Sequence, residues 1–122
     1  MTPSPRTTEL SAITKTYDLV LWLLPHIAKF PREHRFTLGN RLEEGVLEIL
    51  ETLVEASYAK EKVLLLQKAN LRLERVRYLL RLSKDLRLIT VKQYEFASES
   101  LLSIGKEVGG WLKRQTAKQD AP

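Results

Sequence analysis

Apolar side chains recur at steps of three and four through residues 9–29: Leu10, Ile13, Tyr17, Val20, Leu21, Leu24 and Ala28. Each residue of a helix turns about 100°, so this spacing makes one stripe and predicts an amphipathic helix. Leu19, Trp22 and Leu23 fall off that stripe. Pro25 lies inside it and removes a backbone donor, which should kink the helix or loosen its last turn. Pro31 reinforces the stop, and Phe30-Pro31-Arg32-Glu33-His34-Arg35-Phe36 reads as a connection. A second helix is expected over 37–60, with Leu42, Val46, Ile49, Leu53 and Ala56 inward and Leu50 and Val54 widening the face. Gly45 inside it costs about 1 kcal/mol against alanine unless a neighbouring helix packs closely there.

A third helix is expected over 61–87. Neither Gly nor Pro marks its start, and the break is placed near residues 57–62 because a single helix through both segments is unusually long for a globular chain. The fourth helix starts at Thr90, where Thr90 and Gln93 form a T-x-x-Q capping box. Val91, Tyr94, Ser98, Leu101, Gly105, Val108 and Leu112 line its inner face, and Gly109-Gly110 interrupts its end ahead of Trp111. Residues 1–8 and 115–122 read as disordered tails around one folded unit, 9–114. Four amphipathic segments with short connections predict an all-α fold, an antiparallel up-down-up-down four-helix bundle.

The third segment has two apolar faces. Leu66, Ala69, Leu73, Val76 and Leu80 make a core seam, while Leu64, Leu71, Tyr78 and Leu82 cluster well away from it. A bundle helix needs one buried stripe, so the second is read as a subunit interface, with a wide core face or leucines tolerated at the surface as the alternatives. Trp22, off the main stripe of the first helix with Leu19 and Leu23, is assigned to the same interface.

Charge is sorted by segment. The second carries Glu43, Glu44, Glu48, Glu51 and Glu55, with Glu61 nearby, against Arg41 and Lys60. The third carries Lys62, Lys68, Arg72, Arg75, Arg77, Arg81, Lys84 and Arg87 against Glu74 and Asp85. Pairing between the two helices would account for part of this, at about 0–1 kcal/mol for each surface pair. The basic residues form two rows, Lys68/Arg72/Arg75 and Arg77/Arg81/Lys84, and are mostly arginine, whose planar fork suits phosphate. Arg72, Arg75, Arg77, Arg81, Lys84 and Arg87 are therefore the candidate contacts to nucleic acid or a protein partner, with Arg32 and Arg35 as a second choice. A net charge of +5 agrees with a polyanion partner. No base-reading motif is visible.

Other chemistry is thinly represented. There is no cysteine, which excludes disulfides and thiolate metal sites and fits a reducing cytoplasm. The polar start lacks the apolar core of a signal peptide, and no apolar run reaches the length of a membrane span. A cytoplasmic location without membrane contact is expected. His26 and His34 have no second histidine at ligand spacing, no triad or paired-acid pattern can be assigned, and Gly109-Gly110 lacks the rest of a phosphate loop. No enzyme activity, metal or cofactor is expected.

Several stretches together resemble a known family. They are Tyr17-Asp18-Leu19 through Trp22-Leu23-Leu24, then Phe30-Pro31-Arg32, then Arg35-Phe36-Thr37-Leu38-Gly39. Leu79-Leu80-Arg81-Leu82, Gln93-Tyr94-Glu95 and Ile104-Gly105 to Gly109-Gly110-Trp111-Leu112 continue the likeness, which spans residues 15–113. As a set they are similar to the accessory variability determinant (Avd) proteins of diversity-generating retroelements. The resemblance implies a barrel-like homopentamer of four-helix bundles with a basic surface. It implies binding to the retroelement's reverse transcriptase and to nucleic acid, RNA or DNA, in support of mutagenic retrohoming, without polymerase activity. Phe30 and Trp111 of the shared segments are read as bundle-end plugs. The alternatives are a four-helix-bundle protein encoded in an intervening sequence of a ribosomal RNA gene, and a structural oligomer whose charges neutralise one another.

Overall fold

The computed structural model describes residues 5–120. Helix α1 spans Pro5–Ile27, and a short helical turn, α2 (Arg32–His34), runs into a π-helical turn (Arg35–Gly39). Helices α3 (Asn40–Tyr58), α4 (Val63–Asp85) and α5 (Val91–Asp120) follow, and no strand occurs among the described residues.

Side-chain pairings fix the directions. Ser11 Oγ donates to Glu107 Oε1 at 3.0 Å, Lys15 Nζ donates to Ser103 Oγ at 2.8 Å, and Trp22 lies against Phe96. Numbers fall along α5 as they rise along α1. The same holds across α3 and α4, where Gly45 faces Val76, Glu48 faces Arg72, and Ala56 accepts from Lys62. Across α4 and α5, Arg77 reaches Leu101 and Lys84 faces Tyr94. Each long helix packs on the next and α5 returns beside α1, so α1 and α4 occupy opposite corners.

The core is a column of aliphatic side chains. Leu23, Leu42, Leu53, Leu66, Leu73, Leu80 and Leu101 are fully buried, each contributing about 1.5–3 kcal/mol by leaving water. Phe30 and Trp111 are buried near its two ends. In α1 the expected stripe is corrected. Ala12, Thr16, Leu19, Val20, Leu23 and Ile27 are buried, while Leu10, Tyr17 and Leu21 are exposed. Leu19 and Leu23 therefore belong to the core rather than to an interface. The true seam was masked because two of its members are small or polar. Thr16 fits there because its hydroxyl donates to the Ala12 carbonyl at 2.8 Å.

Helix ends follow local chemistry. The break between α3 and α4 falls at residues 59–62, inside the expected window. The Thr90–Gln93 box forms reciprocally, Thr90 N–H to Gln93 Oε1 at 2.9 Å and Gln93 N–H to Thr90 Oγ1 at 3.0 Å. Gly45 has its close neighbour: a Cβ there would come within 2.8 Å of Val76 Cγ2. Two boundaries differ from expectation. Helix α5 passes through Gly109 and Gly110 without interruption and continues to Asp120, because no proline follows until Pro122 and residues 115–119 include good helix formers. Helix α1 likewise begins at Pro5, a residue suited to a helix's first turn. The tail readings for residues 1–4 and 121–122 lie outside the described residues.

Candidate nucleic-acid and partner interface

The outward side of α4 organises the candidate site. Its core residues Leu66, Leu73 and Leu80 face inward, and Leu64, Leu71 and Tyr78 stand roughly opposite on the helical wheel. Leu64 is 73% exposed, Tyr78 66%, Leu71 56% and Leu82 46%. The second stripe is thus a surface ridge in the single chain, and the wide-core alternative is set aside.

The two basic rows flank this ridge, one on each seam. On the α3 side, Arg72 is half-buried. Its Nε lies 3.3 Å from Glu48 Oε2 and its Nη1 donates to Thr52 Oγ1. Arg75 is exposed on that side and has no ion-pair partner among the described residues. On the α5 side, Arg77 pairs with Glu74 one turn earlier, and its Nη2 approaches the Leu101 carbonyl at 3.5 Å over Gly105. Lys84 lies 3.5 Å from Asp85 and 4.6 Å from the centre of the Tyr94 ring. Arg81 is exposed and without an ion-pair partner among the described residues. The six candidates on the third segment therefore divide. Arg72, Arg77 and Lys84 tie α4 to its neighbours or to itself, whereas Arg75, Arg81 and Arg87 leave their charge to solvent.

Arg87 is unusual in its backbone. It has φ 61, the left-handed region that an L side chain enters at a cost of about 1–2 kcal/mol. Leu88 N–H bonds to the Ser83 carbonyl at 2.8 Å and Arg87 N–H to the Lys84 carbonyl at 2.9 Å. This is the Schellman ending of a helix, in which glycine normally occupies the Arg87 position. Arg32 and Arg35 lie at the same end of the bundle, since the α1–α3 connection and the close of α4 share it. Both are exposed, and the Arg35 guanidinium stands 5.8 Å from the centre of the Phe36 ring.

One cation noted in the sequence was not chosen there as a candidate contact. Arg41, the basic residue early in the acidic α3, joins Arg72, Arg75, Tyr78, Glu44 and Glu48 along a groove of about 650 Å³ between α3 and α4. Its signal was its position one turn before Gly45, where a Cβ would come within 2.8 Å of Val76 Cγ2.

Trp22, assigned with the α4 ridge to a subunit interface, is half-buried and has partners within the chain. Its ring stacks on His26 at 4.1 Å between centroids and tilts against Phe96 at 4.7 Å, so it closes the α1–α5 seam within the chain. His26 holds this arrangement by donating from Nδ1 to the Trp22 carbonyl at 2.7 Å. The free apolar surface of α1 is instead Leu10, Tyr17 and Leu21. On the wheel Tyr17 sits on the flank away from the α5-facing Ser11, Lys15 and Trp22, toward α3, and Leu21 turns further outward. Leu47 and Val54 of α3 are also exposed, on the side away from α4. A second apolar surface thus spans the α1–α3 seam.

Among the described residues, no group of three or more His, Cys, Asp or Glu side chains is placed to hold a metal. No helix there is long and apolar enough to cross a membrane.

These features define an all-helical bundle protein whose distinctive surface is an apolar ridge between two cationic rows. The chain belongs to the bAvd-like family, the accessory variability determinant proteins: the model of that family matches residues 11–115. No curated protein matches the chain.

Proposed function

We propose that this chain is a non-enzymatic accessory protein of a diversity-generating retroelement, which assembles into a closed ring and presents a basic surface to nucleic acid and to the reverse transcriptase. Family membership supports the accessory role. The observation that carries the binding mode is the α4 face, where Arg75 and Arg81 stand unpaired on either side of the ridge.

The ring reading is supported by having two unlike apolar surfaces on different sides of one chain. The α4 ridge is flanked by cations, and the α1–α3 face lies beside Glu51 and Glu55 on the outer side of α3. Surfaces opposite in charge and separate in place favour head-to-tail contact, and head-to-tail contacts close into rings when the rotation per copy allows it. The pentamer follows the family pattern.

The test is binding of labelled RNA and DNA to the purified protein through a salt series. The expected result is tight binding at low salt that weakens steeply, because each neutralised phosphate releases counterions. Absence of binding at low salt defeats the nucleic-acid role. Co-purification with the reverse transcriptase alone would then move these charges to a protein contact. If neither partner binds, the reading becomes a structural oligomer.

A further inference from the structure

We infer that the bundle end formed by the π-helical turn and the close of α4 is a single-strand site, taking an unpaired nucleotide of RNA or DNA with its base stacked on Phe36 and its phosphates on the surrounding cations. This rests on the nucleic-acid reading above and adds to it a place and a mode.

Three independent observations meet at this end. The first is Phe36 itself. It is 62% exposed, although the core would accept a phenylalanine and the neighbouring Leu38 is buried. One face of its environment is already cationic, with the Arg35 guanidinium 5.8 Å from the ring centre. An exposed aromatic ring beside arginine is the combination on which bases stack, because every base has a π face and the phosphate that follows it needs a counter-charge.

The second is the backbone that presents the ring. Residues Arg35–Gly39 form a π-helical turn, a rare geometry that often marks functional sites. Gly39 fits tightly beneath, where a Cβ would meet Ile27 Cγ2 at 3.1 Å. Asn40 Nδ2 donates to the Phe36 carbonyl at 3.0 Å, which fixes the turn from the other side. The ring is thus held out from a rigid mount.

The third is the company of charges. Lys29, Arg32 and Lys92 are exposed at the end that carries Arg35 and Arg87, and none has an ion-pair partner among the described residues. Arg87 keeps a strained left-handed backbone where glycine would relax it, so its side chain is retained against local preference. Base pairing hides the faces of bases in a duplex, so a stacking platform selects unpaired strand.

The test compares a homopolymeric single strand with an abasic strand of the same length, using wild-type protein, Phe36→Leu and Phe36→Trp in the full chain. The expected result is that wild type prefers the base-bearing strand and that Phe36→Leu loses roughly tenfold or more toward it. Affinity for the abasic strand stays unchanged in Phe36→Leu, and Phe36→Trp binds the base-bearing strand at least as well as wild type. Equal wild-type affinity for the two strands, or an unaffected Phe36→Leu, overturns the stacking site while leaving salt-dependent binding in place. If wild type binds neither strand at low salt, the nucleic-acid role and this site fall together. Circular dichroism of each variant separates a binding loss from a folding loss.

Discussion

The α4 ridge and the α1–α3 face are both exposed and apolar, but they are built differently. The ridge is a line of side chains on one helix, and α4 needs none of them to pack in its own bundle. Cations border it on both sides. The α1–α3 face draws Tyr17 and Leu21 from one helix and Leu47 and Val54 from another, so it exists only once those helices have packed. Its border on α3 is acidic. One surface projects and is positive; the other straddles a seam and is negative. The difference in charge and placement is what the proposed head-to-tail contact requires of two surfaces on one chain.

The largest effect should come from destroying the ridge. Leu71→Asp with Tyr78→Asp places two charges where the proposed contact is dry, and an unpaired charge there costs several kcal/mol. The expected outcome is a monomer in sedimentation velocity with unchanged helix content, since both residues are exposed in the single chain. An assembly that keeps its mass removes the ridge from the interface.

A comparable loss is expected from Tyr17→Asp with Leu21→Asp on the opposite surface. Mixing the two broken variants sharpens the comparison. Ridge-broken copies still have the α1–α3 face, and face-broken copies still have the ridge. Head-to-tail pairing therefore predicts a complex of two chains that grows no further. A self-complementary contact predicts that the mixture stays monomeric, and that result would end the ring reading.

A smaller effect should separate the cations that bind from those that brace. Arg75→Glu with Arg81→Glu removes unpaired charge and is expected to weaken RNA or DNA binding by on the order of 100-fold, from two lost charge-assisted contacts. The dependence of log K on log salt should flatten by roughly 1.5. Arg72→Ala is expected to act on folding instead, with a loss of about 1 kcal/mol in denaturant unfolding, because Glu48 and Thr52 lose their partner. If Arg72→Ala costs binding and no stability, the division of the rows is wrong.

How far the sequence showed these surfaces depended on what shared each helix with them. In α4 the large residues Leu66, Leu73, Val76 and Leu80 dominate the core seam over Ala69 and the buried Ser83, so the remaining apolar residues stood out as a second face. In α1 the core seam contains Ala12 and Thr16, and the exposed face contains Leu10, Tyr17 and Leu21. Both stripes are apolar enough to be a core face, and only packing decides which one is buried. The ring contacts of Trp22 with His26 and Phe96 were not legible, because ring stacking is a matter of three-dimensional approach. The Thr90 cap and the α3–α4 break were legible because local hydrogen bonding and length decide them. The π-helical turn and the left-handed Arg87 were not, since no spacing rule distinguishes an arginine at that position from one a residue earlier.

Arg87 offers the smallest and most diagnostic effect, because its two expected consequences have opposite signs. The hydrogen bonds that close α4 run through backbone atoms of Arg87 and Leu88 and do not involve the guanidinium. Arg87→Gly keeps them and relieves the left-handed strain, for an expected gain of about 0.5–1 kcal/mol after the greater freedom of unfolded glycine is counted. Thermal unfolding at fixed protein concentration should show a rise of roughly 2–5 °C. The same variant removes one of the unpaired cations at the end that carries Phe36, so its affinity for a single strand should fall severalfold. Stability gained with binding lost is the signature of a residue kept for contact rather than for the fold. A more stable protein with undiminished binding would strike Arg87 from the surface. No gain in stability would mean that the left-handed turn is relaxed as it stands, and the argument from strain would go with it.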